Sequence, residues 1–205
     1  FVPMAAEPKV PESAEAWGAM RDAWRKALEE KCFAGWPGDL PAVAAREIAS
    51  AEHNGARLTA YEFDSQPHVR LRFYLLRPAG QKSTDAVVLN VADEQAWEEI
   101  LASLRVHFAD VLAGEPLPEP AGDAKPLEIG PDAPAMVFFA PRGLGTSAWG
   151  GDKKKQTQIR RRFMLLGQTL DGMRVWDVRR AIEAARSLDA LKDAKLSARG
   201  SRQAG

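Results

Sequence analysis

The chain has 205 residues, 45% of them hydrophobic, enough to bury one substantial core. Its 28 basic and 28 acidic side chains cancel, which removes any electrostatic argument for binding nucleic acid or an anionic membrane surface. No run approaches the roughly 18 apolar residues that span a bilayer, and the one cysteine, Cys32, has no second cysteine for an internal disulfide.

The opening "FVPMAAEP" reads in two ways. It is the remnant of a processed export signal, which makes the protein secreted or periplasmic, or it is an arbitrary start within a cytoplasmic one. Residues 1–12 are accordingly expected to be disordered or processed, and 13–205 to form a single partial domain. Ser13 followed by an acidic residue opens a helix with Trp17, Met20, Trp24 and Leu28 on one stripe. That spacing predicts a buried, tryptophan-rich face. Cys32, next to Phe33 at the end of the stripe, reads as a buried structural thiol. "GWPGDLP" then breaks the helix.

Two β-type runs follow, "ARLTAYEF" and "VRLRFYLLRP", with "DSQPH" as the hairpin turn between them. In the second, Val69, Leu71, Phe73 and Leu75 alternate with Arg70, Arg72 and Tyr74, the pattern of a half-buried strand. Ala86 to Leu89 is unbroken apolar sequence, as is Met136 to Phe139. Strands of that kind are covered on both faces, so these two are predicted to be adjacent, central and parallel. Between them lie a helix with Trp97, Ile100, Leu101, Leu104, Phe108 and Val111 on one side, and a Pro-rich surface excursion, "GEPLPEPAGDAKP". The loop "RGLGTSAWGGDKKK" leads into a helical region over about residues 156–187, with breaks expected near Gly167 and Gly172. Val175, Val178, Ile182 and Ala185 form its core stripe, and "AKLSARG" is the last strand. Antiparallel strands followed by strands alternating with helices predict an α/β domain whose mixed sheet becomes parallel between helical layers.

Three segments, in order, resemble the α/β-hydrolase superfamily, in its acetyl xylan esterase-like and prolyl-oligopeptidase-like branches. Arg142, Gly143, Leu144, Gly145, Thr146 and Ser147 are similar to the Arg-Gly-x-Gly-x-Ser loop after the fourth strand, with Leu144 where glutamine is common. Two glycines allow a sharp turn there, and the arginine has donors enough to tie neighbouring loops together. Trp176-Asp177 resembles the aromatic-Asp pair on the helix before the nucleophile strand, and "KLSARGSRQAG" resembles that strand and its elbow. The resemblance runs from about Trp17 to Gly205. It corresponds to the N-terminal part of such a hydrolase, cut after the elbow strand.

The resemblance implies a Gly-x-Ser-x-Gly elbow. Laid on the chain with Gly200 first, Ala204 takes the second small position and Gly205 follows, which puts Arg202 at the apex. A guanidinium has no lone pair to attack a carbonyl, so Ser201, one residue earlier, is the remaining nucleophile candidate. The backbone of Ala92, in the stretch Asn90 to Asp93, and of Gln203 are the candidate oxyanion donors. The implied triad order places the base beyond Gly205, and His53, His68 and His107 read as surface or packing residues. No cofactor is implied, and no residue cluster has metal-ligand spacing. Lys153 to Lys155 and Arg160 to Arg162 read as a solvated basic face.

The resemblance therefore implies a serine esterase acting on a small ester or carbohydrate ester, inactive as this chain. Two alternatives stay open: a non-catalytic binding module that holds an anionic ligand at Arg202, and a prolyl-oligopeptidase-like peptidase.

Overall fold

The computed structural model describes residues 9–38, 40–119, 127, 129–150 and 152–201. The N-terminal residues 1–8, much of the Pro-rich excursion, and Arg202, Gln203, Ala204 and Gly205 of the expected elbow lie outside that set.

Ser13 caps the first helix, α1 (Ala14–Lys31), by accepting from the Ala16 N–H at 3.1 Å. The helix forms as its spacing predicts, but its apolar stripe is not buried. Trp17, Trp24 and Leu28 are each close to half exposed, and Cys32 is exposed as well. Among the described residues no element covers that face deeply enough to bury a single α1 side chain.

Three antiparallel strands follow: β1 (Arg46–His53), β2 (Ala56–Gln66) and β3 (Val69–Pro78). The sequence carried no apolar signal for β1, because it is an edge strand that leans on β2 and leaves its outer positions wet. The turn between β2 and β3 is tighter than expected. Asp64, Ser65 and Gln66 belong to β2, and only Pro67 and His68 turn, His68 with φ +66°. Nor is β3 half-buried, since Tyr74 and Leu76 are as enclosed as Phe73 and Leu75. Its C-terminal half runs through the middle of the sheet with a helical layer on one side and packed loops and helix on the other.

The unbroken apolar runs are β4 (Ala86–Val91) and β5 (Ala135–Phe139), paired in parallel with Val88 opposite Met136. Helix α2 (Glu94–Phe108) joins them by way of a short 3₁₀ turn at Ala109–Leu112. After β5 come α3 (Lys153–Leu165), α4 (Leu170–Arg186) and β6 (Lys195–Gly200), which pairs in parallel with β4. The six strands therefore lie in the order β1-β2-β3-β5-β4-β6. The mixed sheet is antiparallel first and parallel later.

One core joins α4 to Phe63, Phe73, Val87, Leu89 and Phe139, and a second joins α2 to Leu58, Tyr74, Leu76 and Phe138. The helical break falls at Gly167, whose φ of +71° ends α3, whereas Gly172 sits inside α4. Of the expected stripe on α4, Val178, Ile182 and Ala185 pack in the core and only Val175 is exposed; Met173, Trp176, Asp177, Arg180 and Ala181 are buried as well.

Candidate functional site

Because β4, β5 and β6 are parallel, the loops that leave β4 and β5, and Ser201 after β6, lie at one end of the sheet. From β4 the chain turns into α2 on one face, and from β5 it passes to α4 on the other. Diverging connections of this kind open a crevice at the carboxyl ends of the strands. Here it is a cleft of about 600 Å³, walled by Val91 to Glu94 on one side and by Pro141, Gly143, Leu144 and Trp149 on the other.

The loop after β5 is held from both faces of the sheet. On the α4 face, Arg142 engages Asp177 through Nε (2.8 Å), an Nη (2.7 Å) and its own backbone N–H (3.0 Å). Asp177 has no exposed surface and Arg142 is 5% exposed. The Ser65 hydroxyl donates to the same carboxylate at 2.6 Å, and Arg142 reaches Gln66 at 3.1 Å. A buried carboxylate with this many donors keeps its charge compensated in place, the condition under which burying an ion pair is tolerated. The arginine and the Trp176-Asp177 pair, which resemble family segments separately, are thus one structural unit.

On the α2 face the loop is held by a group that sequence reading placed in a surface excursion. Glu115 is buried, accepting from Tyr74 OH at 2.9 Å, from Trp97 Nε1 at 3.2 Å and from the Thr146 N–H. Burial pushes its carboxyl above the ordinary range, although the three donors and the Arg72 guanidinium oppose that shift. Gly145 packs directly on this cluster with φ +53°; a Cβ there would lie 2.7 Å from Trp97 Nε1 and 2.8 Å from Glu115 Oε2. Gly143, with φ +83°, lies as closely against the Trp149 ring. Both glycines are therefore fixed by contact as well as by turn geometry. Ser147 closes the loop, its Oγ accepting from the Gly143 N–H and donating to the Leu144 carbonyl.

Gly200 is the last residue of β6, and Ser201 is the first beyond it. The Ser201 N–H donates to the Val91 carbonyl at 3.1 Å, and its Oγ donates to the same carbonyl at 3.2 Å. That Oγ accepts from the Asp93 N–H, also at 3.2 Å. Ala92, the residue predicted to supply the oxyanion donor, spends its N–H on the Phe139 carbonyl at 2.9 Å, extending the ladder between β4 and β5. The backbone donor that faces Ser201 is the next one along. Asp93 also caps α2, its carboxylate accepting from the Ala96 N–H. No glycine is needed for this geometry, because the strand end and the helix cap orient the amide between them.

The three histidines are distributed elsewhere. His53 stacks on His107 with ring centroids 4.0 Å apart, and His68 occupies the turn between β2 and β3. Among the described residues no group of three His, Cys, Asp or Glu side chains is arranged to hold a metal ion, and no helix is long and apolar enough to cross a membrane. The basic segment 153–162 lies on α3, which buries no side chain.

No protein-family model matches the chain, and no curated protein matches it by sequence. Solved structures do. A Bacteroides fragilis protein assigned as an acetyl xylan esterase superposes with a TM-score of 0.62 at 18% identity, covering 91% of this chain and 47% of its own. A glucuronoyl esterase from Solibacter usitatus gives a TM-score of 0.56 at 13% identity, over 96% and 55%. A methylesterase gives 0.53 at 11% identity, over 95% and 38%. The chain spans about half the length, or less, of these esterases. At such identities the likeness speaks for architecture: this chain has an α/β-hydrolase-type fold, corresponding to one part of the esterases that share it.

Proposed function

We propose that the chain supplies the nucleophile strand and the oxyanion loop of a serine ester hydrolase, with Ser201 as nucleophile. The position of Ser201 Oγ carries this reading: one residue past β6, at the open end of the parallel sheet, 3.2 Å from the Asp93 N–H. A nucleophile elbow stands at this point of a hydrolase sheet, between the end of a strand and a donor from the loop of the neighbouring strand. The Ser201 oxygen adds to the ester carbonyl, and the tetrahedral oxyanion takes the Asp93 N–H together with the N–H of the residue after the serine. That residue is Arg202. Arg202 then stands after the nucleophile rather than in its place, and Gln203 is not the donor.

The reaction also needs a base. In the resting geometry the Ser201 hydroxyl donates to the Val91 carbonyl, which cannot take up its proton. On this reading the base comes from outside the described residues, and the 205-residue chain by itself is accordingly expected not to turn over. Carboxylic esters are the substrate class, carbohydrate esters included, supported by the names of the structures that share the fold.

The test is ester turnover by the complete polypeptide in which this chain occurs, with 4-nitrophenyl acetate as substrate. Ser201→Ala should abolish it and Arg202→Ala should leave an enzyme that still acylates. Unchanged turnover in Ser201→Ala would overturn the assignment.

A further inference from the structure

Charge cancels over the chain as a whole, but not along α3. Residues 153–168 hold Lys153, Lys154, Lys155, Arg160, Arg161 and Arg162 and no acidic residue. Asp152, just before them, spends its carboxylate on the helix cap, accepting from the Lys155 N–H at 2.9 Å. Arg160 pairs with Asp171 at 3.1 Å. No ion pair among the described residues takes the other five cations. The inner side of α3 is marked by its two half-buried residues, Ile159 and Phe163, the latter with its ring 5.9 Å from that of Trp149. At 3.6 residues per turn, Lys154, Gln158, Arg161 and Leu165 fall on the opposite side.

The same helix ends in an apolar tip. Met164, Leu165 and Leu166 are 67%, 85% and 74% exposed. They do not belong to a frayed end. The Gly167 N–H donates to the Met164 carbonyl and the Gln168 N–H to the Phe163 carbonyl, a closed C-terminal turn around the positive φ of Gly167. Gln168 Nε2 ties that turn to the Gly35 carbonyl at 2.9 Å. Three consecutive large aliphatic side chains are thus held out into water beside a cluster of cations, and such exposure marks an interaction surface. A nucleic-acid backbone matches the cations but offers nothing to the leucines. An apolar protein groove takes the leucines and leaves the cations unanswered. An anionic bilayer offers both, phosphates at the level of the lysines and arginines and hydrocarbon beneath them. The apolar stripe of α1 carries no such indication, because its charges are of both signs and pair locally, Arg21 with Asp22 and Lys26 with Glu30.

We propose that the outer face of α3 and its Met164–Leu166 tip form a peripheral docking surface for an anionic lipid bilayer. The cations lie against the headgroups and the tip inserts below them. Ser201 has no part in it.

Co-sedimentation of the complete polypeptide with vesicles tests it. The vesicles hold equal parts of phosphatidylcholine and phosphatidylglycerol, with pure phosphatidylcholine vesicles and a DNA duplex of arbitrary sequence as comparisons. The anionic vesicles should be bound about tenfold more tightly than the neutral ones, and added salt should weaken that binding. Joint replacement Leu165→Ser and Leu166→Ser should weaken it about tenfold. Joint replacement Lys154→Gln and Arg161→Gln should weaken it several-fold. All four side chains are exposed, so thermal midpoints should match the parent's and certify the fold. Ser201→Ala should bind as the parent does, which separates failure of docking from failure of the nucleophile. No binding to anionic vesicles, equal affinity for neutral ones, tighter binding to the duplex, or parent-like affinity in the folded double-serine variant would each overturn the proposal.

Discussion

Asp177 and Arg142 lie within 2.7 Å of each other and are almost wholly enclosed, so neither tolerates loss of the other. Asp177→Ala leaves a buried guanidinium without its counter-charge. The expected cost is about 3–5 kcal/mol, read from the urea midpoint; a loss below about 1 kcal/mol would show that Arg142 finds another acceptor. Glu115 has the opposite character. Its folded-state pKa is raised, chiefly by burial, so the fold binds that proton more tightly than the unfolded chain does. Its contribution is greatest below the ordinary carboxylate range and is lost as pH rises through the raised value. Glu115→Gln cannot titrate. The stability of the parent relative to Glu115→Gln should therefore increase as pH falls from 8 to 4, with thermal midpoints as the measure. A flat or inverted difference would contradict the assigned burial. Gly145→Ala places a methyl against Trp97 and Glu115 at a φ that L-residues rarely adopt, and should destabilise by roughly 1–3 kcal/mol.

At the scale of elements, legibility followed burial. β4 and β5 are readable because interior strands of a sheet between helical layers carry little polar alternation, and their sequences carry none across Val87–Leu89 and Met136–Phe139, although Val88 and Met136 are only partly buried. Helix positions were legible too, through Ser13 and the glycine at 167. The buried face of a helix was less so. On α4 the sheet takes Asp177 and Arg180 along with Trp176, since an ion pair and a backbone acceptor satisfy the charges; a hydrophobic stripe cannot foresee that. On α1 the stripe is real and uncovered. Replacing Trp17 or Trp24 with Ala should accordingly shift stability by no more than about 0.5 kcal/mol. A loss above about 2 kcal/mol in either variant would show that α1 is packed in solution. β6 was legible as a strand, but its side chains are largely exposed and its outer edge is unpaired among the described residues. Amide exchange across Lys195–Gly200 should be far faster than across β4 and β5. Protection equal to β5 would show that another strand covers that edge.

Across the whole molecule, the sheet order explains why a site forms where it does. Parallel β4 and β5 carry their loops to the end of the sheet where Ser201 follows β6, and the two clamps, Asp177 on one face and Glu115 on the other, hold the loop after β5. The catalytic candidate was legible only as a choice between Ser201 and Arg202. Spacing of small residues puts Arg202 at the apex, whereas the proposal of Ser201 rests on its place after β6 and its contact with Asp93. Sequence spacing leaves the choice open, because the small residues do not say where the strand stops pairing. The most direct measurement is fluorophosphonate labelling of the complete polypeptide, with the modified peptide mapped by mass. The account predicts one label per chain, on Ser201, absent from Ser201→Ala. A label on any other residue, or one that survives in Ser201→Ala, would contradict it.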